Sequence, residues 1–211
     1  YSAINWQSFS IPAGSTTQIV QPNASSMSIN RVVTNTPSAL FGTLRSNGQV
    51  VLVNQAGIAV GSGALVDTAG FTASAVGMTT ADAAAGRLRF AGDGLASTSG
   101  ALTVQGNIIA RGGDVVLIAP SVELAQSAVV QAQGGSVVLA AGQSVEVTGR
   151  GLEGITLQVQ APTDQALNLG TLKGDAAGIF AGTLRHSGVS QATQASRHGG
   201  RVVPKAATDA D

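Results

Sequence analysis

Apolar and polar residues alternate along much of this chain. Leu102 and Val104 flank Thr103, Val145 and Val147 flank Glu146, and Ile155, Leu157, Val159 and Ala161 are separated by Thr156, Gln158 and Gln160. A period of two sends successive side chains to opposite faces, so these segments predict strands with one buried face. Gly or Asn turns separate them, and the turns recur. Ala110-Arg111-Gly112-Gly113-Asp114-Val115-Val116-Leu117 returns as Ala132-Gln133-Gly134-Gly135-Ser136-Val137-Val138-Leu139, an offset of 134 − 112 = 22. Gly178 follows Gly134 by 44 and Gly200 follows it by 66, both multiples of 22. Gly112, Gly134, Gly178 and Gly200 are therefore read as corner glycines of successive turns. The segment Arg197-His198-Gly199-Gly200-Arg201-Val202-Val203 reads as a third copy of the repeat. Gly154-Ile155-Thr156-Leu157 reads as a copy about two residues early.

Short strands on a fixed repeat cannot each bury a face alone, whereas stacked coils can. The prediction is an all-β, right-handed, single-stranded parallel β-helix with about 22 residues per coil and small extra-helical β decorations. At roughly 4.8 Å per rung, nine or ten coils would make a rod about 45 Å long. An antiparallel β-sandwich also has short strands and frequent turns, but nothing in it would keep this register. One segment departs from the pattern: Thr79 to Leu88, with a Thr-x-x-Asp start and an alanine run, predicts one short helix decorating the rod.

Composition fits strands and turns. Charged residues make up 10% of the chain, aromatics 3%, and the net charge is zero. Ser, Thr, Asn and Gln do the solvating, and Lys173 and Lys205 are the only lysines. Neither half is basic enough for nucleic acid. Cysteine is absent, which removes disulfides and thiolate metal sites. The chain opens at Tyr1 without Met and is read as a fragment or processed product.

The N-terminal half carries a more specific pattern. Ile4-Asn5-Trp6-Gln7-Ser8-Phe9, then Asn30-Arg31-Val32 and Phe41-Gly42-Thr43-Leu44, lead into Asn47-Gly48-Gln49-Val50-Val51-Leu52-Val53-Asn54-Gln55-Ala56-Gly57-Ile58. In order and spacing this resembles the secretion (TPS, or haemagglutination-activity) domain of filamentous-haemagglutinin-like two-partner secretion exoproteins. Where family members carry an NPNGI-type element, this chain keeps the Asn, Gly and Ile and loses the proline. The resemblance implies a β-helical secretion domain over residues 1–204, a frayed tail or linker over 205–211, and cap strands that in the family precede the Ile4–Phe9 segment. It also implies secretion through the periplasm and an outer-membrane transporter to the cell surface or beyond, with the transporter's periplasmic domains reading the unfolded chain by strand addition. The secretion-motif candidates are Asn5, Trp6, Phe9, Asn30, Arg31, Asn54, Gln55, Ala56, Gly57 and Ile58. An adhesin directed at a host glycan or cell surface, or a filament subunit stacking end to end through open β-helix edges, are the functions considered.

Catalytic chemistry finds little support in the sequence. Parallel β-helices that act as glycosidases or lyases need converging carboxylates, and the acids here are isolated from one another, with Asp93 and Asp114 about one period apart, an offset read as an accident of turns. No cofactor, metal site or catalytic set is predicted. Arg185, His186, Arg197, His198 and Arg201 form a basic stretch that could offer exposed positive charge to an anion. Ser187 beside His186 is read as part of the same solvated edge. Trp6 and Phe9 are expected to fill the core or plug an open end.

Overall fold

A computed structural model describes residues 1–91, 100–159, 164–191, 196–198, 201–203 and 208–209. Strands are numbered β1 to β24 along the chain. One face of the coil stacks β1 (Ser2–Trp6), β3 (Met27–Val32), β6 (Gln49–Val53), β9 (Gly70–Ser74), β13 (Val115–Ala119) and the second halves of β15 (Val129–Ala141) and β19 (Thr171–Phe180). A second face stacks β2 (Thr16–Ile19), β5 (Thr43–Ser46), β8 (Leu65–Thr68), β12 (Asn107–Arg111), the first halves of β15 and β19, and β21 (Val189–Gln191). The third stacks β4 (Ser38–Leu40), β7 (Ile58–Val60), β11 (Ala101–Val104), β14 (Ser121–Leu124), β18 (Gln165–Asn168) and β20 (Thr183–His186), and Ile11 bridges to Leu40 above them.

Every pairing within these three stacks is parallel, and the chain visits the first, third and second faces in turn, which is a parallel β-helix; such crossovers are right-handed. Residues 22 apart face each other at several rungs, Ser28 opposite Val50, Asn107 opposite Val129 and Val115 opposite Val137, whereas other directly successive rungs are offset by as few as 18 or as many as 27 residues. Alternate residues point inward, and Leu44, Val66, Ile108 and Val130 line one column of the interior from the second face.

Two excursions leave the coil. The first follows β9 and carries α1 (Thr80–Ala85) and β10 (Leu88–Phe90); the second follows β15 and carries β16 (Ser144–Val147), a 3-10 turn (Leu152–Gly154) and β17 (Ile155–Val159). β16 lies antiparallel between β10 and β17, forming a three-stranded sheet. Val76, Met78, Ala83 and Phe90 from the first excursion and Val145 and Ile155 from the second pack on the outer side of the first face, against Ile29, Val51, Val116, Ile118 and Val138. The first face is thus covered on both sides. Its strands accordingly read as unbroken apolar runs, Val50 to Val53 and Val115 to Ala119, and do not alternate.

Several expectations are corrected here. Among the described residues the coil has seven rungs on the first and second faces and, counting the Ile11 bridge, seven on the third, not nine or ten, because the two excursions consume chain that the period had assigned to coils. Six rung spacings give roughly 29 Å of stacking. Ile155 to Val159 is a strand of the outer antiparallel sheet and not a rung. Gly178 is not a corner: it lies mid-strand opposite Val138. A Cβ there would come 2.4 Å from Leu152 Cδ2, so the glycine leaves room for the outer layer. The Arg197–Val203 copy is no parallel rung, since β22 (Ser196–His198) pairs antiparallel with β23 (Arg201–Val203), which pairs antiparallel with β19. Gly200 lies outside the described residues. Within the segment expected to fray, β24 (Thr208–Asp209) pairs antiparallel with β21.

Candidate functional site

The first two coils carry polar residues at several positions where the next coil places apolar ones. On the inner side, Ser28 and Asn30 occupy the columns of Val50 and Leu52. Asn30, 1% exposed, is fully occupied. Its Oδ1 accepts from Trp6 Nε1 at 3.0 Å, and its Nδ2 donates to Ser28 Oγ at 3.1 Å and more weakly to the Val51 carbonyl. The Trp6 ring meets Phe9 edge to face, centroids 5.3 Å apart, and Phe9 belongs to the inner core. Together they cover the interior at the first coil.

On the outer side, Arg31 stands in the column of Val53 and is 5% exposed. Burying a guanidinium without partners is costly, and Arg31 finds them in Asn5 Oδ1 at 3.2 Å, the Met78 carbonyl at 2.9 Å and Thr80 Oγ1 at 3.4 Å. None of these is a carboxylate, and two come from the first excursion.

Asn54, wholly buried, shapes the turn from β6 to β7. Its Oδ1 accepts from the Ala56 amide at 2.9 Å, an Asx turn, while its Nδ2 donates to the Thr36 carbonyl at 2.8 Å and Ser38 Oγ at 2.9 Å in the coil before. Its own amide donates to the Ser74 carbonyl of the coil after. Gly57 closes the turn with φ 122, the left-handed side that glycine tolerates. Gln55 and Ala56 are half-buried, and Ile58 enters the inner core. The motif candidates therefore divide into two groups, one at the first two coils and one at the third.

The corner between the second and first faces is where glycine is required. Gly112 and Gly134 have φ 94 and 76. Behind them, a Cβ on Gly113 would sit 2.4 Å from the Ala69 carbonyl oxygen and one on Gly135 2.1 Å from that of Gly113. Asp114 locks this corner: it accepts from the Ser136 amide at 3.0 Å and the Gly151 amide at 2.7 Å and pairs with Arg150 at 3.1 Å. Asp93 lies outside the described residues.

The described strands place the basic stretch on two faces of the coil. Arg185 is exposed, but His186, next to it on β20, points inward, with Nδ1 2.9 Å from Asn168 Nδ2. Ser187 is exposed on the opposite side, so it and the His186 ring do not form a nucleophile and base. β20 belongs to the third face, whereas the strands carrying Arg197, His198 and Arg201 stack on the first. Elsewhere the surface carries a bidentate pair, Asp67 with Arg111 at 2.7 and 3.1 Å. The hydrogen bond from Arg111 holds the Asp67 carboxyl below its ordinary value, with Arg45 adding a smaller attraction, and the same pairing raises Arg111.

Compared with known protein families, residues 1–210 match the TPS secretion domain. The chain belongs to that family. The TPS domain is also similar to the HMW1 secretion domain of Haemophilus influenzae, whose crystal structure superposes with a TM-score of 0.78 at 32% identity, covering 90% of this chain and 50% of that one. Over 71 residues it is 37% identical to a heme/hemopexin-binding protein of H. influenzae strain Rd and 35% identical to a second H. influenzae protein of that name. Each match spans 34% of this chain and 8% of the relative. TPS exoproteins are secreted across the outer membrane with a partner transporter, and the matching family is a secretion domain. Among the described residues no helix is long and apolar enough to cross a membrane.

The residues that sequence reasoning missed are those joining the outer layer to the coil, Met78, Thr80 and Arg150 with Asp114, and those joining the two excursions, Arg87 with Glu146 at 3.1 Å. The unbroken apolar runs on the first face were the available signal, since a strand exposed on one side does not need them.

Proposed function

We propose that this TPS domain directs export of a longer exoprotein, and that the periplasmic domains of its outer-membrane transporter read it unfolded, by pairing with its strands. The burial of the motif residues carries this reading. Phe9, Asn30, Arg31, Asn54 and Ile58 are each at most 5% exposed in the folded coil. A partner can read them only before they fold. Strand addition suits such a chain, because it uses backbone groups that the weakly charged sequence leaves unobstructed. Outside the cell the coil then forms and offers its rungs as a template for the chain that follows. In this reading the exported protein is an adhesin or scaffold, and a host glycan or cell surface is its class of target.

Export decides it. Co-expression with the matching transporter barrel is expected to place this chain outside the cell, and expression without the barrel to leave it in the periplasm. Equal external yields in both would remove the secretion reading. End-to-end stacking is the second reading, favoured by the exposure of Ile4 on β1 (43%) and Val20 after β2 (78%). Sedimentation that stays monomeric as concentration rises would end it.

A further inference from the structure

The first coil pairs along the whole of β1 with its neighbouring rung and is also tied to a segment that arrives much later in the chain. Among the described residues β1 has one strand partner, β3, and four of its five side chains are exposed. Three contacts from the first excursion reinforce it. The Tyr1 hydroxyl donates to the Ala84 carbonyl at 2.5 Å, across 83 residues. The Tyr1 ring lies over Gly86, where a Cβ would come 2.8 Å from Tyr1 Cε1. Arg31 joins Asn5 of β1 to Met78 and Thr80.

We propose that the excursion carrying α1 is a latch on the first coil: β1 becomes fixed only when residues 78–86 dock, and Arg31 is the buried link between the two. The coupling follows from desolvation. Without the excursion, Arg31 would sit among Ile29, Val51 and Val53 on an open outer face, hydrated and free to move. With the excursion docked, it is buried and must be hydrogen-bonded, and one of its satisfied donors reaches Asn5. Docking therefore orders Arg31, and ordered Arg31 holds β1. An ordinary rung needs only the next 22 residues or so to complete its ladder, as Ser28 does with Val50. β1 waits for a segment more than three times farther along. In the proposed export route, which gives the latch its use, the N-terminal strand stays available to a pairing partner until that segment has emerged.

Hydrogen exchange on the full chain tests the latch independently of export. In pulsed exchange during refolding, amides of residues 2–6 are expected to gain protection with the same rate constant as those of 78–86 and after those of 49–53. In the native state, Thr79→Ala removes the hydroxyl that accepts from the Asp82 amide and caps α1, touching no coil residue. It should speed exchange of α1 and β1 together by about fivefold, the usual size of a lost N-cap, with β13 unchanged. Arg31→Met should loosen β1 further and shift the emission of Trp6, the sole tryptophan. Protection of β1 before residues 78–86, or a Thr79→Ala variant that loosens α1 but not β1, would overturn the latch. If Arg31→Met did not fold, Thr79→Ala would still decide the question. A failure of export would leave these outcomes unchanged.

Discussion

At the scale of single residues, the coil shows two distinct reasons for glycine at one corner, and they separate by experiment. Gly112 has φ 94 with nothing within 4 Å of a built Cβ, so Gly112→Ala meets only backbone strain, about 1–2 kcal/mol. Gly113→Ala would drive its Cβ to 2.4 Å from the Ala69 carbonyl oxygen, which cannot move without breaking the rung, a cost of about 3 kcal/mol. Urea midpoints should rank the two in that order. The pair Gly112-Gly113 was legible as a corner, but a glycine count cannot separate strain from close approach, and Gly178 shows the risk. Its glycine accommodates Leu152, a contact created by a segment far away in the sequence. Asn54 offers a sharper case: Asn54→Ala leaves the Thr36 carbonyl, Ser38 and the Ala56 amide without their buried partner, and about 3 kcal/mol of stability should go with it. Asp67 ties stability to pH. Because Arg111 depresses its carboxyl in the folded state, the pair contributes above the ordinary carboxylate value of about 3.9, and that contribution is lost as pH falls through the lower folded value. Arg111→Ala should move the Asp67 titration up toward the ordinary value, followed by carbon shifts in NMR.

At the scale of elements, the 22-residue period was legible and holds between rungs such as β5 and β8, β12 and β15, and β13 and β15, while other directly successive rungs are offset by 18 to 27 residues. The number of coils was not legible, for an arithmetic reason. Phe71 lies opposite Val115 at a separation of 44, twice the period, so an excursion as long as a coil preserves the spacing of everything after it. Alternation gives no help either, since Ile155, Leu157 and Val159 alternate in an antiparallel hairpin as they would in a rung. Only covering the sheet on its second side distinguishes the two, and that appears in the first-face strands as apolar residues at successive positions. The short helix was read from its Thr79 cap and alanine run, and it forms over Thr80–Ala85 with Gly86 ending it at φ 68. What the sequence left hidden was its destination. Phe90, wholly buried in the outer core, tests that layer: Phe90→Ala should cost about 3–5 kcal/mol in urea unfolding, and exchange should open the amides of β10 and β16 before those of β12, which faces the inner core alone.

At the scale of the whole molecule, the outer layer changes how a solenoid is expected to come apart. Stacked coils that touch only their neighbours unfold piecewise, each rung independent of distant ones. Here the first excursion is tied to the first coil through Arg31 and Tyr1, and to the second excursion through β10 with β16 and Arg87 with Glu146. The second is anchored through Arg150 and Asp114 to the corner between β12 and β13. Contacts that leap from the first coil to the fifth along the outside of one face make rungs interdependent that the inner coil alone would leave separate. The intact chain should therefore lose Trp6 fluorescence, which reports the first coil, and backbone circular dichroism, which reports all of them, at the same urea concentration. Val145→Pro should break that unity, because Val145 sits opposite Phe90 in the central strand of the outer sheet, where proline removes a ladder hydrogen bond. With the bridge cut, the fluorescence midpoint should fall below the dichroism midpoint as the N-terminal coils release first. If the two stayed coincident in that variant, cooperativity would have to reside in the inner core, and the outer layer would be a covering and no more.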